Sequence, residues 1–206
     1  TLNRAAMLAI MNPDDKAGLE AALRLKDEYG AAVTVITMGL PKAIDVLREA
    51  LAMGADKVIL VTDRVLGGAD TWATSQTLAA AIRNLEYDLI ITGRQAIDGD
   101  TAQVGPQISE HLGIPVISYA QNLKIEGDSV IVERQYEDRY HVVKAQMPCL
   151  ITALSELNVP RYMTPGGIFD ACDAEITTWG RADLKDLDDT NIGLKGSPTK
   201  IAKASD

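Results

Sequence analysis

Histidine and cysteine are scarce in this chain, and each shortage removes a class of chemistry. The only two histidines are His111 and His141, so catalysis by imidazole has little material, and both read as surface or packing residues. The only two cysteines are Cys149 and Cys172. Their spacing matches no metal or redox motif, and they read as reduced thiols of a cytoplasmic protein. No apolar run approaches the roughly 20 residues that a membrane span needs. Residues 1–11 lack the basic, apolar, then small order of a signal peptide. Basic residues are outnumbered by acids, 20 to 29, for a formal net charge of -9. That balance argues against nucleic acid or an anionic membrane as the main partner. There is no haem motif, cysteine cluster or nucleophile–base pair. No catalytic side chain or metal ligand is therefore assigned, and any redox role must be lent by a bound cofactor.

What is present suffices for one α/β domain with an appendage: 206 residues, 47% hydrophobic. Asn12-Pro13 opens a helix through about Tyr29, stopped by Gly30, with Leu19, Ala22 and Leu23 as its buried stripe. A strand over 33–37 and a helix from Pro41 to Gly54 follow, the helix facing inward with Ile44, Leu47 and Leu51. Next come a strand over 57–62 and a helix from Asp70, its expected N-cap, to Leu85. The run Leu89-Ile-Ile91 is a buried strand ended by Gly93, and residues 115–119 form another. Alternating strands and helices predict a doubly wound, mostly parallel, Rossmann-like sheet. From Asn122 the pattern changes. Residues 122–126 and 129–135 read as a hairpin across Gly127-Asp128, with further strands at 140–144 and 149–153. This antiparallel patch, with its hairpin extension at 122–146, is expected to lengthen the sheet edge. The nucleotide-binding domain then covers 1–157, and 158–206 form a loop and arm that pack on something else.

The stretch from Asp88 to Gln107 organises the rest. After Gly93 the chain is rich in turn-formers and acids until Val104, Ile108 and Leu112 recur at helical spacing. Pro106 tolerates only a first turn, which predicts a helix starting near Thr101 to Gln103, with Asp100 and Gln103 at capping-pair spacing. A strand, a polar loop and a helix N-terminus form a receptacle for phosphate. The alternative is a capped connection whose Asp98 and Asp100 only satisfy turn amides. Paired carboxylates also suggest a metal or acid–base site, but no His or Cys lies nearby and Gly99 suits a tight turn.

Ala96-Ile-Asp-Gly-Asp-Thr-Ala-Gln-Val-Gly105 resembles the adenine-nucleotide loop of the electron transfer flavoprotein β subunit. Met11-Asn12-Pro13, Ala50-Leu-Ala-Met-Gly-Ala-Asp56 and Asn158-Val-Pro-Arg-Tyr162 agree with that family in the same order. The resemblance covers essentially the whole chain and suggests that the sequence is trimmed at both ends. It implies a heterodimer with an α subunit, carrying electrons between dehydrogenases and an acceptor. It also implies an adenine nucleotide held by Asn12, Pro13, Asp14 and Asp15, by Met38, and by the loop. The loop positions are Gly93, Arg94, Gln95, Ala96, Ile97, Asp98, Gly99, Asp100, Thr101, Ala102, Gln103 and Val104.

In ordinary members of that family the nucleotide is a structural AMP. In the electron-bifurcating branch it is a second FAD that accepts hydride from NADH. Ala102, Val104 and Pro106 depart from the ordinary loop pattern and resemble the bifurcating branch. So do Gly67-Gly-Ala-Asp-Thr-Trp-Ala-Thr74, Gly166-Gly167 and Gly193-Leu-Lys-Gly-Ser-Pro198. Thr71 and Thr74 then either hydrogen-bond the flavin or cap their helix, and Arg94 either stabilises an anion or pairs with a surface acid. The resemblance further implies that Pro160, Arg161, Tyr162, Met163, Thr164, Pro165, Gly166, Gly167 and Ile168 dock a partner of the acyl-CoA dehydrogenase type. Arg and Tyr are favoured at interface centres. Alternatively, Tyr162 packs on its own chain and Arg161 merely solvates a turn. Ordinary members carry a Leu anchor where Pro165 stands. A looser likeness, of Gly67–Thr71 to the loop of ATP pyrophosphatases, leaves an ATP-using enzyme as a further alternative.

Overall fold

The computed structural model describes residues 9–199. Pro13, with its fixed φ and missing N–H, opens α1 (Pro13–Tyr29), and Gly30 ends it at φ 72, as the sequence predicts. There follow β1 (Thr34–Met38), α2 (Ile44–Met53), preceded by a 3₁₀ turn at Pro41–Ala43, and β2 (Lys57–Val61). Asp70 caps α3 (Thr71–Ile82) by accepting the Ala73 N–H at 3.0 Å, although the helix stops short of the predicted Leu85. Then come β3 (Leu89–Gly93) and α4 (Val104–Leu112).

Where the sequence suggests a strand and then a hairpin, one strand runs through: β4 (Val116–Glu126). Its first half pairs parallel and its second half antiparallel, with a register shift between Ala120 and Asn122 beside Tyr119 at φ 63. β5 (Ser129–Tyr136) and β6 (Arg139–Gln146) complete an antiparallel meander. β7 (Cys149–Ala153) corrects the reading of residues 149–153 as part of that patch. It lies between β3 and β4, parallel to both, with all five residues buried. A continuous apolar run is what a strand covered on both faces requires.

The chain closes with α5 (Pro165–Asp173), β8 (Thr177–Trp179) and the single turn α6 (Gly193–Gly196). The fold is α/β, and parallel pairing dominates it. Among the described residues the strands form two sheets rather than the single expected one: β1-β2-β8, all parallel, and β3-β7-β4-β5-β6. Helix α1 serves both. Its Leu19 and Leu23 join Val33, Leu47, Val58 and Leu60 in one core, while Gly18 lets it approach Ile91 of β3, which a Cβ would meet at 3.0 Å.

The C-terminal stretch also departs from expectation. Instead of packing elsewhere, it returns to the β2 and α3 core, where Leu184, Leu187 and Ile192 are buried with Ile59, Val61 and Ala80. The readings that fall on residues 1–8 and 200–206 lie outside the described residues. Among those described, no helix is long and apolar enough to cross a membrane.

Candidate functional site

The carboxyl end of β3 meets the N-termini of α1 and α4, and their junction is the candidate crevice. Gly93 ends β3, and its N–H donates to Asp15 Oδ1 at 2.6 Å. Asn12 Nδ2 donates to Asp15 Oδ2 and to the Gln95 carbonyl, each at 2.8 Å. A Cβ on Gly93 would lie 2.8 Å from Asp15 N, so helix and strand approach as only glycine permits. Asp15 is exposed as a residue, yet the protein around its carboxyl withholds water and raises its pKa. The bonds from Asn12 and Gly93 act the other way, and Asp14 adds to the rise.

Two buried polar atoms in this crevice have no hydrogen-bond partner: Asn12 Oδ1 and Arg94 Nε. Arg94 approaches Asp14 Oδ2 only to 3.5 Å, a loose pair, and Asp14 Oδ1 is engaged by the Ser155 N–H at 3.0 Å. Unpaired buried donors and acceptors cost free energy unless something satisfies them. One acceptor and one cationic donor in reserve suit a ligand with an N–H group and an anionic group.

The loop leaving the crevice is exposed from Ala96 to Thr101. It is not capped as its spacing suggests. Asp100 adopts φ 50, with its carboxylate taken by Gln95 Nε2 and its N–H by the Ala96 carbonyl. Ala102 also stands in the left-handed region at φ 53, where a β-carbon costs about 1–2 kcal/mol. Strain of this kind concentrates at ligand clamps. α4 consequently begins at Val104, later than predicted, and Gln103 gives no side-chain cap. Its first turn packs low on the sheet: a Cβ on Gly105 would meet Thr92 Oγ1 at 2.7 Å and Thr152 Cγ2 at 3.0 Å. Sequence reasoning missed Gly105 as a close-approach residue.

α3 brings its own N-terminus to the same place. Thr71 Oγ1 donates to Gln103 Oε1 at 2.9 Å, so this hydroxyl joins the two helix starts. Thr74 is half-buried one turn along. Met38 packs in the second core, against β2. Farther along the α3–α4 interface, His111 Nε2 lies 3.0 Å from Ser75 Oγ, and its ring stands edge-on to Trp72 at 5.0 Å. Burial, then the charge of Arg83, lowers its pKa. This is a packing role, as the sequence suggests.

The second candidate surface is the segment 160–168. Its last residues form the first turn of α5, opened by Pro165 and capped by Thr164, whose Oγ1 accepts the Gly167 N–H at 3.0 Å. Arg161 is held by Glu20 and Asp27, each at 2.8 Å, rather than standing free. Tyr162 is 96% exposed and does not pack on its own chain, and Phe169, which lay outside the predicted set, is 75% exposed. Ile168 and Met163 are also exposed. A cavity of about 480 Å³ lies beneath, lined by Met53, Gly54, Arg161, Tyr162 and Asp170.

Comparison with known proteins shows the family. A family model described as the electron transfer flavoprotein domain matches residues 1–184. The chain is 57% identical over 205 residues to the electron transfer flavoprotein subunit beta of Clostridium acetobutylicum, covering 100% of this chain and 79% of that one. It is 52% identical over 206 residues to the caffeyl-CoA reductase-Etf complex subunit CarD of Acetobacterium woodii, covering 99% and 78%. With the acryloyl-CoA reductase electron transfer subunit gamma of Anaerotignum propionicum it shares 51% identity over 211 residues, covering 99% and 79%.

Proposed function

Because the chain belongs to the electron transfer flavoprotein family, we propose that it is the β subunit of a heterodimeric carrier and holds an FAD in the crevice between α1, β3 and α4. The observation that carries this reading is the pair of orphaned buried atoms, Asn12 Oδ1 and Arg94 Nε, beside a strand end and a helix start with open amides. They suit the two ends of an adenosine phosphate: a base bearing N–H donors and an anion. Asn12, Arg94 and Gln95 would hold these groups, with the loop from Ala96 to Val104 folded over them. The bound flavin supplies the hydride-accepting and electron-passing chemistry that the side chains lack.

Asp15 fastens Gly93 and Asn12, so the crevice floor is preorganised before any ligand arrives. Thr71 holds Gln103, which makes it a support of the loop. Two relatives carry names of CoA-ester reductase systems, and their likeness favours the bifurcating type, with NADH as donor and an acyl-CoA dehydrogenase-type partner. That partner docks on Tyr162, Met163, Ile168 and Phe169. The complex works in the cytoplasm, where exposed Cys172 stays reduced.

The test is a nucleotide inventory of the complex of this subunit with its α partner, denatured and chromatographed. Two FAD and no AMP per heterodimer, with absorbance bleached by NADH, are expected. One FAD with one AMP would overturn the FAD assignment and leave a subunit whose nucleotide is structural.

A further inference from the structure

Three hydrogen bonds stitch the segment leading to the docking surface onto one flank of α1. The Ser155 N–H donates to Asp14 Oδ1 at 3.0 Å. Asn158 Nδ2 donates to the Ala17 carbonyl at 2.9 Å, and the Arg161 N–H to Glu20 Oε2 at 3.1 Å. Helix and segment advance in step, three positions per bond, so the segment is registered against a rigid element. The last contact is the strongest. Arg161 Nε reaches Glu20 Oε2 at 2.8 Å and its Nη2 reaches Oε1 at 3.3 Å, while Arg24 Nε donates to Oε1 at 2.9 Å.

Glu20 is an unusual residue for its place. It is 4% exposed and stands between buried Leu19 and Ala21 on the helix. Burial alone would raise its pKa, but the bonds from Arg161 and Arg24 outweigh burial and lower it, so it is a charged carboxylate. A buried ion pair is seldom the best way to stabilise a fold, since apolar residues of the same volume do as well or better. What this pair does is fix direction. With both backbone and guanidinium of Arg161 tied to one carboxylate, Tyr162 is turned outward at 96% exposure from a base held at two points. An aromatic anchor ordered before contact saves the entropy of ordering it on binding.

We propose that Glu20 is a positioning residue for partner docking: it locks Arg161 so that Tyr162 is presented to the partner dehydrogenase. This rests on the docking reading of the preceding section. Asp170 and Asp173 are exposed acids on the same helix as Phe169. The fitting partner surface is therefore an apolar cleft with a basic rim.

The experiment uses the complete two-subunit complex and the partner dehydrogenase, with NADH-driven reduction of the partner followed as partner concentration varies. Glu20→Gln is expected to raise KM for the partner about tenfold, the loss of one charge-assisted bond. The rate at saturating partner, nucleotide content and NADH bleaching are expected to hold. Glu20→Asp, which keeps the charge, is expected to recover part of the loss. Tyr162→Ala separates the two readings. A raised KM for Tyr162→Ala with an unchanged KM for Glu20→Gln overturns the positioning role alone. An unchanged KM in both overturns the docking reading. Should Glu20→Gln fail to assemble, Arg161→Lys takes its place, and an unchanged KM there overturns the proposal equally.

Discussion

Asp15 Oδ1 accepts the Gly93 N–H at 2.6 Å, so one carboxylate joins the first turn of α1 to the last residue of β3. The crevice depends on that contact, because the same Asp15 also fixes the Asn12 amide. Gly93→Ala would drive a methyl group to 2.8 Å from both the Asp15 nitrogen and Oδ1. Overpacking of this kind costs about 1–3 kcal/mol. The expected outcome is a lower unfolding temperature and bound nucleotide reduced severalfold, read by absorbance and chromatography of the purified complex.

Asp70 holds two segments. Its Oδ1 caps α3 at Ala73, its Oδ2 accepts the Thr199 N–H at 2.8 Å, and its own N–H donates to Ser197 Oγ at 2.8 Å. Burial would raise its pKa, but the bonds from Ala73 and Thr199 prevail and lower it. Asp70→Ala is expected to cost about 1–2 kcal/mol, the usual loss for a cap of this type. Denaturant titration measures it. Hydrogen exchange is expected to quicken at Ala73 and Thr199 while β7 stays protected.

If Glu20 positions the docking segment as proposed, docking acquires a pH dependence whose sign follows from its carboxylate. Its pKa in the folded chain is lowered from 4.5. It therefore contributes its full stability above that ordinary value and loses it as pH falls through the lowered one. Partner affinity is expected to stay level from neutral pH down to the ordinary carboxylate range and to weaken only below it. Titration of partner binding across acid pH checks this, and affinity that strengthens on acidification would contradict it.

Much of this architecture is legible in the sequence where a single residue dictates the backbone. Pro13 and Gly30 bound α1, Asp70 caps α3, and Gly93 ends β3, each for a local steric or hydrogen-bonding reason. What escapes sequence reading is decided at a distance. Cys149–Ala153 follows a meander and so reads as its continuation, although its largely apolar run suits a central parallel strand equally well. Asp100 and Gln103 have capping spacing, but Gln95 takes the Asp100 carboxylate and holds it in a left-handed turn. Leu184, Leu187 and Ile192 are thinly spread among acids, yet they complete a core. Glu20 left one trace, an acid inside the apolar run from Ala17 to Leu23, whose partner Arg161 lies far along the chain.

The strand order bears on how the chain assembles. The meander β4-β5-β6 joins neighbours in sequence and can form as soon as its turns close. Each sheet nevertheless waits for a late arrival: β7 must enter between β3 and β4, and β8 must reach β2 from near the far end of the chain. Until β7 enters, β3 has no strand beside it, although α1 packs against it through Gly18 and Asp15. A chain interrupted before Ala153 therefore carries the whole loop motif without the strand that ties β3 to β4.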